Sequence, residues 1–357
     1  MKRARPLIAL AVALAVGGWL LAARPATPRT PPGSPTATAA PAAKLPTPHS
    51  MPAKLTDGAE YTPLFYVDAT TAVGTAPTPD GSADRLILRS STGDRELRRF
   101  PQDRYAQFLG FTASAGTLYW AESAATQAGP YETRLWRAPL DGSAPPASLT
   151  ANTGAAVFFD SEYDLVIADN RVNWVAADPD NSQRTELRSV PITGGPVTTK
   201  AFDGRFRHTT WPWLLSVDDQ APLQLANPLT GERRTVSRAA AESVVCTPEW
   251  CRSMVLGAGR SLFDARHPDG SARRRIPGDL TAVTVDTAIA GHYEIFTQLS
   301  GDRVALVAYD LTTSTIQPLA ADTGVTSARA GVVWWADRPA NPTTWNAIDL
   351  RATPTAG

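Results

Sequence analysis

The chain is poor in the side chains that staple small folds or hold metals: 2 Cys, 3 Met and 4 His in 357 residues. Two cysteines cannot form a disulfide framework, and none of the histidines is paired by spacing with a Ser, a Cys or a second His, so a zinc site or a catalytic triad has no support. Net charge is also lacking. With 34 basic and 34 acidic side chains, bulk electrostatics recruits neither nucleic acid nor an anionic surface. Only four of the basic residues are lysines (Lys2, Lys44, Lys54 and Lys200), a bias of genome composition rather than of function. After residue 55 no segment keeps a capped 3.6-residue apolar period, which removes helical domains. What remains abundant is apolar content at 43%, together with 10 Trp, 31 Pro and 25 Gly.

The long uncharged run sits at the start. Lys2, Arg3 and Arg5 precede Leu7 to Ala23, an apolar segment without a strongly polar side chain. As a helix it is roughly 26 Å long, close to the hydrocarbon thickness of a bilayer. Residues 1–23 therefore read as an uncleaved signal anchor. A cleaved signal peptide is the alternative, although the candidate cleavage pairs Leu21/Ala23 and Arg24/Ala26 are poor. The basic residues before the segment leave the N-terminus inside and the remainder exported. No Cys lies near its end, so a lipoprotein attachment is excluded. Residues 24–54 carry nine prolines among Ala, Thr and Ser. That composition reads as an extended, disordered linker.

From 55 to 357 the chain repeats itself. An apolar or aromatic strand is followed by a second strand, a Gly-containing turn and a short third strand. The second strand and turn are clearest in DRLILRSSTGD (84–94), TRLWRAPLDGS (133–143), TELRSVPITGG (185–195) and PLQLANPLTGE (222–232). RSLFDARHPDGS (260–271), DRVALVAYDLTTS (302–314) and TTWNAIDLRAT (343–353) continue the series. The turn glycines are Gly93, Gly142, Gly194, Gly231 and Gly270, with Thr313 and Ala352 in the same place in the last two copies. The spacing of about 43 residues is that of four-stranded propeller blades. The preceding strands are LFYVDA (64–69), LYWAES (118–123), VNWVAA (172–177), PWLLSV (212–217), WCRSMV (250–255), YEIFTQ (293–298) and VVWWAD (332–337). Trp120, Trp174, Trp211, Trp213, Trp250, Trp334 and Trp335 fall in or beside them, as rings that pack one blade on the next. The fold class is all-β, a seven-bladed β-propeller, with six blades and a partial one as the alternative. Because little chain follows Arg351, either residues 351–355 complete the last blade or residues 55–61 pair there and latch the ring. The second is preferred.

RLWRAPLDGSAPPASLT (134–150) resembles the propeller repeat of the TolB type, and the body as a whole is similar to exported actinobacterial TolB-like or WD40-like propellers. The resemblance implies the fold and brings no catalytic residue. TolB itself has an α/β domain before six blades, where this chain has a linker before seven copies, so a role in the Tol system is not implied.

Cys246 and Cys251 enclose Thr-Pro-Glu-Trp, a hairpin loop whose flanking residues lie within disulfide reach. Inter-blade and second-to-third-strand connections share one face of a propeller, usually the ligand face. The long connections 70–83, 123–132, 176–184 and 337–344 lie there. The candidate ligand-face residues are Glu162, Tyr163 and Asp164 in one inter-blade connection, Arg207 and His208 in the next, and Asp178 and Asp180 in a DPDN turn. That turn resembles the start of a calcium loop but lacks the downstream Gly and Glu, so an Asx-stabilised turn is the expectation. The run Arg273, Arg274 and Arg275 is expected on a solvated outer edge. No cofactor, metal or catalytic residue is expected. The expected function is an exported, membrane-tethered scaffold or binding module for a protein or envelope component. The alternative is a propeller enzyme of the hydrolase, lyase or lactonase kind with a carboxylate-lined funnel.

Overall fold

The computed structural model describes residues 45–126, 131–217, 222–257, 259–338 and 341–352. They belong to the second of two compact units, 42–357; the apolar segment Leu7 to Ala23 and most of the Pro-rich segment lie outside the described residues. Among the described residues no helix is long and apolar enough to cross a membrane.

Seven antiparallel sheets follow one another along the chain. Blade I holds Thr62–Asp68, Thr71–Pro77, Ala83–Ser90 and Gly93–Pro101; blade II holds Gln107–Ser114, Thr117–Ala125, Tyr131–Pro139 and Ala147–Thr150. In blade III the inner strand is split into Ala155–Ala156 and Val166–Ala168, both paired with Arg171–Ala177, and Arg184–Pro191 and Thr198–Asp203 follow. Blade IV consists of three-residue strands, Phe206–His208, Leu214–Ser216, Gln224–Ala226 and Arg233–Thr235. Blade V comprises Ser243–Cys246, Cys251–Gly257, Arg260–Arg266 and Arg274–Arg275, and blade VI Leu280–Ala282, Tyr293–Ser300, Arg303–Asp310 and Thr315–Ala320. Blade VII takes Thr326–Arg329, Val332–Ala336 and Thr344–Asp349 from the end of the chain and its outer strand, His49–Pro52, from the beginning.

Seven clusters of buried apolar side chains coincide with seven seams, including one between blades VII and I. An open row of seven blades would have only six such seams, so the ring is closed. The six-bladed alternative does not hold. Trp120 and Trp174 are fully buried, and Trp334, Trp335 and Trp345 nearly so. These are the rings expected to fill the gaps between blades, each burying a large apolar area. The turn glycines Gly93, Gly142, Gly194, Gly231 and Gly270 all have positive φ, the backbone state that admits Gly at no steric cost.

Three expectations need correction. The latch is not residues 55–61 but His49–Pro52, which pairs with Thr344–Asp349 and seats Met51 opposite Trp345. The segment therefore begins inside the stretch whose prolines suggested a linker. An outer strand tolerates Pro52 because one of its edges has no ladder to donate to. Second, LFYVDA belongs to the innermost strand of blade I, and the second strand is Thr71–Pro77, so the expected loop 70–83 shrinks to a turn at 78–82. That strand carries no aromatic ring, and Gly74 lies where a Cβ would sit 2.2 Å from the Thr62 carbonyl oxygen. Third, Ala352 ends a 3₁₀ turn, Leu350–Ala352, rather than a hairpin, because the latch supplies the outer strand.

Cys246 and Cys251 face each other across the first two strands of blade V and are disulfide-bonded, with Cα atoms 4.1 Å apart. The bond lies fully buried in the seam with blade IV. The arginine run lies on the solvated outer edge, as expected, and also forms an ion-pair network. Arg273 binds Asp264 and Glu242, each at 2.6 Å, Arg275 pairs with Asp264, and Arg274 donates to the Leu311 carbonyl at 2.6 Å. Two buried carboxylates behind the outer strand draw these guanidiniums inward.

Candidate functional site in the central channel

The inner strands of blades III and VI both leave their ladders partway along. In blade III, Ala156 pairs with Ala176 and Val166 resumes opposite Asn173, so residues 157–165 are extruded between them. In blade VI, Val283 donates to Ile295 (3.0 Å) and Ile289 bridges Tyr293, leaving 284–288 outside the ladder. The two excursions meet. Ser161 Oγ donates to Asp286 Oδ1 and the Glu162 backbone N–H to Asp286 Oδ2, both at 2.7 Å.

Each excursion is folded by its own carboxylate. Asp164 accepts the backbone N–H groups of Phe159 (2.9 Å) and Ser161 (3.0 Å), closing the first loop on itself. Glu294, wholly buried on the second strand of blade VI, accepts the Ala288 N–H at 3.0 Å and the Thr287 hydroxyl. Gly110, at φ +47° on the inner strand of blade II, completes the seat. A Cβ there would lie 2.9 Å from the Phe158 ring. Any larger residue would push the blade III excursion away.

Arginines from the neighbouring blades close the network. Arg252 of blade V donates to the carbonyls of Asp286 and Thr284 and to Glu294 Oε2, each at 2.8 Å. Arg207 of blade IV stands 3.6 Å from Asp286 Oδ1 and reaches the Val285 carbonyl at 3.4 Å. From blade VII, Arg329 pairs with Asp160, and the Ala330 N–H donates to Glu162 Oε2 at 2.7 Å.

The electrostatics follow from burial. Glu162 is pushed up to about 7, first by desolvation and then by the Asp286 charge. Asp164 is raised to about 6 by desolvation, opposed by its two backbone donors. Burial lowers the Arg207 guanidinium from its usual range and raises the Tyr163 phenol well above its own. Among the described residues no group of three or more His, Cys, Asp and Glu is placed to hold a metal ion.

Of the residues expected on the ligand face, the structure brings Glu162, Tyr163, Asp164 and Arg207 together. Their setting differs from the expected one. Glu162, Tyr163 and Asp164 lie within an inner strand that has been extruded, not in an inter-blade connection, and Arg207 and His208 lie on the inner strand of blade IV. His208 points the other way, into the seam between blades III and IV, 5.8 Å from the Trp211 ring. Neither of its ring nitrogens has a hydrogen-bond partner among the described residues, and burial lowers it to about 4. Asp178 and Asp180 stay apart from the channel. Asp178 Oδ1 accepts the N–H groups of Asp180 (2.9 Å) and Asn181 (3.2 Å), the Asx turn expected of DPDN, and Arg184 lies 3.6 Å away.

Asp160, Arg252, Asp286, Glu294 and Arg329 were not foreseen. Two of them carried a signal. Arg252 in WCRSMV and Glu294 in YEIFTQ are charges set into strands whose neighbours are aromatic and apolar. A charge so placed must meet a partner or stay neutral.

Above the network a funnel of about 600 Å³ opens on the face of the inter-blade connections. Its walls include Leu64, Leu109, Phe158, Phe159 and Val325, together with Asp160, Asp164 and Arg329.

No family model matches the chain, and no curated protein matches it. Solved structures similar to it include the β-propeller domain of the Trilobed protease from Pyrococcus furiosus, at 10% identity and TM-score 0.44 over 65% of this chain and 78% of that one. A prolyl endopeptidase matches at 11% identity and TM-score 0.49 over 77% of this chain, which spans only 45% of the endopeptidase. A structure assigned as TolB from Agrobacterium tumefaciens matches at 14% identity and TM-score 0.40, over 71% of this chain and 93% of that one. The similar structures thus include TolB and other propellers, some of them parts of peptidases, and what they share with this chain is the fold.

Proposed function

We propose that the chain is an exported propeller, held at the cell membrane by its N-terminal segment, that acts as a non-catalytic binding or scaffolding module for a protein or envelope component. One observation carries the reading: the carboxylates that converge in the channel are taken up in holding the channel's own backbone. Both oxygens of Asp286 are engaged by Ser161 and Glu162, both of Asp164 by backbone N–H groups, and Glu294 by Arg252, Ala288 and Thr287. An acid–base pair needs two titrating groups free to reach a substrate atom, and Asp164 already spends both oxygens on backbone N–H groups. The neighbouring imidazole, His208, is turned into a seam instead.

The enzyme reading rests on Glu162 and Asp164, carboxyls raised to about 7 and about 6, of which Asp164 lines the open funnel. A single experiment separates the two readings. The full chain in mild detergent, and its Glu162→Gln and Val325→Arg variants, are cross-linked to envelope extract. A binding module loses its partner with Val325→Arg, which sets a charged side chain on the funnel's apolar wall, and keeps it with Glu162→Gln. An enzyme instead loses turnover of an envelope substrate with Glu162→Gln.

A further inference from the structure

We infer that a cleft between blades III and IV, on the face opposite the funnel, binds a small aromatic acid that also carries a hydroxyl group. The inference goes beyond the recognition role proposed above and does not depend on it.

The cleft is built from two turns of blade IV set against blade III. Trp211 lies in the connection between the first and second strands of blade IV, and Pro228 and Leu229 in the turn between its third and fourth. In an antiparallel four-stranded blade those two turns share the side away from the inter-blade connections. Together with Leu187 of blade III they line a cavity of about 190 Å³. An apolar cavity of about 150 Å³ admits benzene, so this one holds a single ring with room for its substituents. Leu229, at the mouth, is 64% exposed.

Much of the polar lining is engaged within the protein. Asn173 donates to the Val166 and Arg171 carbonyls, both at 3.2 Å, and the hydroxyls of Ser189 and Thr198 accept from Arg171 at 2.9 and 3.0 Å. His208 is different. It lines the cleft at 4% exposure, and neither of its ring nitrogens has a partner among the described residues. Burial lowers its pKa to about 4, so near neutrality one nitrogen is a donor and the other an acceptor. A half-turn about χ2 exchanges ring carbons and nitrogens within one outline, so the edge that meets the cleft can present a nitrogen. A hydroxyl both donates and accepts, and therefore satisfies whichever nitrogen it meets.

Charge selects the acid. Among the described residues Arg188 and Lys200 are the charged groups of the lining, and no carboxylate accompanies them. The Arg188 guanidinium is already held by Glu186 at 2.6 Å and by Asn152 Oδ1 at 2.9 Å. The Lys200 ammonium donates to the Pro228 carbonyl at 3.0 Å and forms no ion pair among the described residues. A ligand carboxylate supplies that missing charge. Between the two polar groups, the half-buried Trp211 and the apolar side chains of Leu187, Pro228 and Leu229 offer the wall that an aromatic ring needs.

The test is calorimetric titration of the full chain in mild detergent at pH 7 with three probes: 4-hydroxybenzoate, benzoate and 4-hydroxybenzyl alcohol. The hydroxy acid should bind most tightly. Benzoate, which offers His208 no hydrogen bond, should bind about fivefold more weakly, and the uncharged alcohol about threefold more weakly. Added salt should narrow the second gap and leave the first. His208→Phe should erase the preference for the hydroxy acid over benzoate, and Lys200→Met the preference for the acid over the alcohol, neither lowering the melting temperature at pH 7. The ranking on the unaltered chain decides the inference even where a variant fails to fold. No heat from 4-hydroxybenzoate up to millimolar concentration, equal affinity for the three probes, or a ranking that survives both substitutions overturns it.

Discussion

The seams between blades and the channel they surround bury their side chains on opposite terms. In the seams, Trp120, Trp174 and Trp335 meet other apolar groups, and each ring removed from water contributes directly to stability. In the channel, Arg252, Asp286 and Glu294 are as deeply buried, yet their mutual attraction does little more than offset the cost of taking charges out of water. The seams hold the ring together. The channel network fixes where two extruded segments meet, and so gives the funnel its floor.

Removing a seam ring should cost most. Trp174→Ala leaves a void between blades II and III and deprives the Thr153 carbonyl of its indole donor, so urea unfolding should register a loss of about 3–5 kcal/mol. The latch comes next. Met51→Asp places a charge against Trp345 in the blade VII–I seam, for about 3 kcal/mol and a broadened transition as the ring opens. Serine at both Cys246 and Cys251 should lower stability by about 2 kcal/mol, and hydrogen exchange should confine the loosening to blade V.

The channel responds to pH instead. Glu162 holds its proton to about 7 in the fold but only to the ordinary carboxylate range when unfolded. Between those limits the folded state binds more protons, so stability falls as pH rises from 5 to 8, by on the order of 2 kcal/mol. Glu162→Gln should flatten that slope and raise the urea midpoint at pH 8. The smallest effect runs the other way. His208 stays neutral in its seam down to about 4, whereas the unfolded chain takes up a proton below its usual 6.5. Acidification to near pH 5.5 should therefore cost about 1 kcal/mol, a loss that His208→Phe removes. Should Trp174→Ala prove milder than Glu162→Gln at every pH, the division between seam and channel would be wrong.

The same division explains what could be read from the residues. Aromatic strands and Gly turns recur every forty-odd residues because each seam has the same packing problem, so blade number, the Trp core and the Cys246–Cys251 bond were legible. Blade I was misread at its second strand, where Gly74 must give way to the Thr62 carbonyl and no ring marks the register. The channel does not repeat. Glu162 and Asp286 lie 124 residues apart and meet only because two inner strands bulge toward one axis. Local spacing finds Glu162 and not its partner Asp286. His208 shows the reverse error, since adjacency to Arg207 suggested a shared site while strand alternation sends the two side chains apart.

Ser50 and Asn346, joined by a hydrogen bond across the latch, are 296 residues apart. Synthesis delivers His49–Pro52 before any blade and its partner strand after six of them, so this short piece must wait, unpaired, while those blades are made. Any product cut short before residue 344 lacks the strand that receives it. Such a fragment leaves both faces of the seam between blades VII and I without a partner, so the burial that closes the circle is available only once both ends of the ring are present.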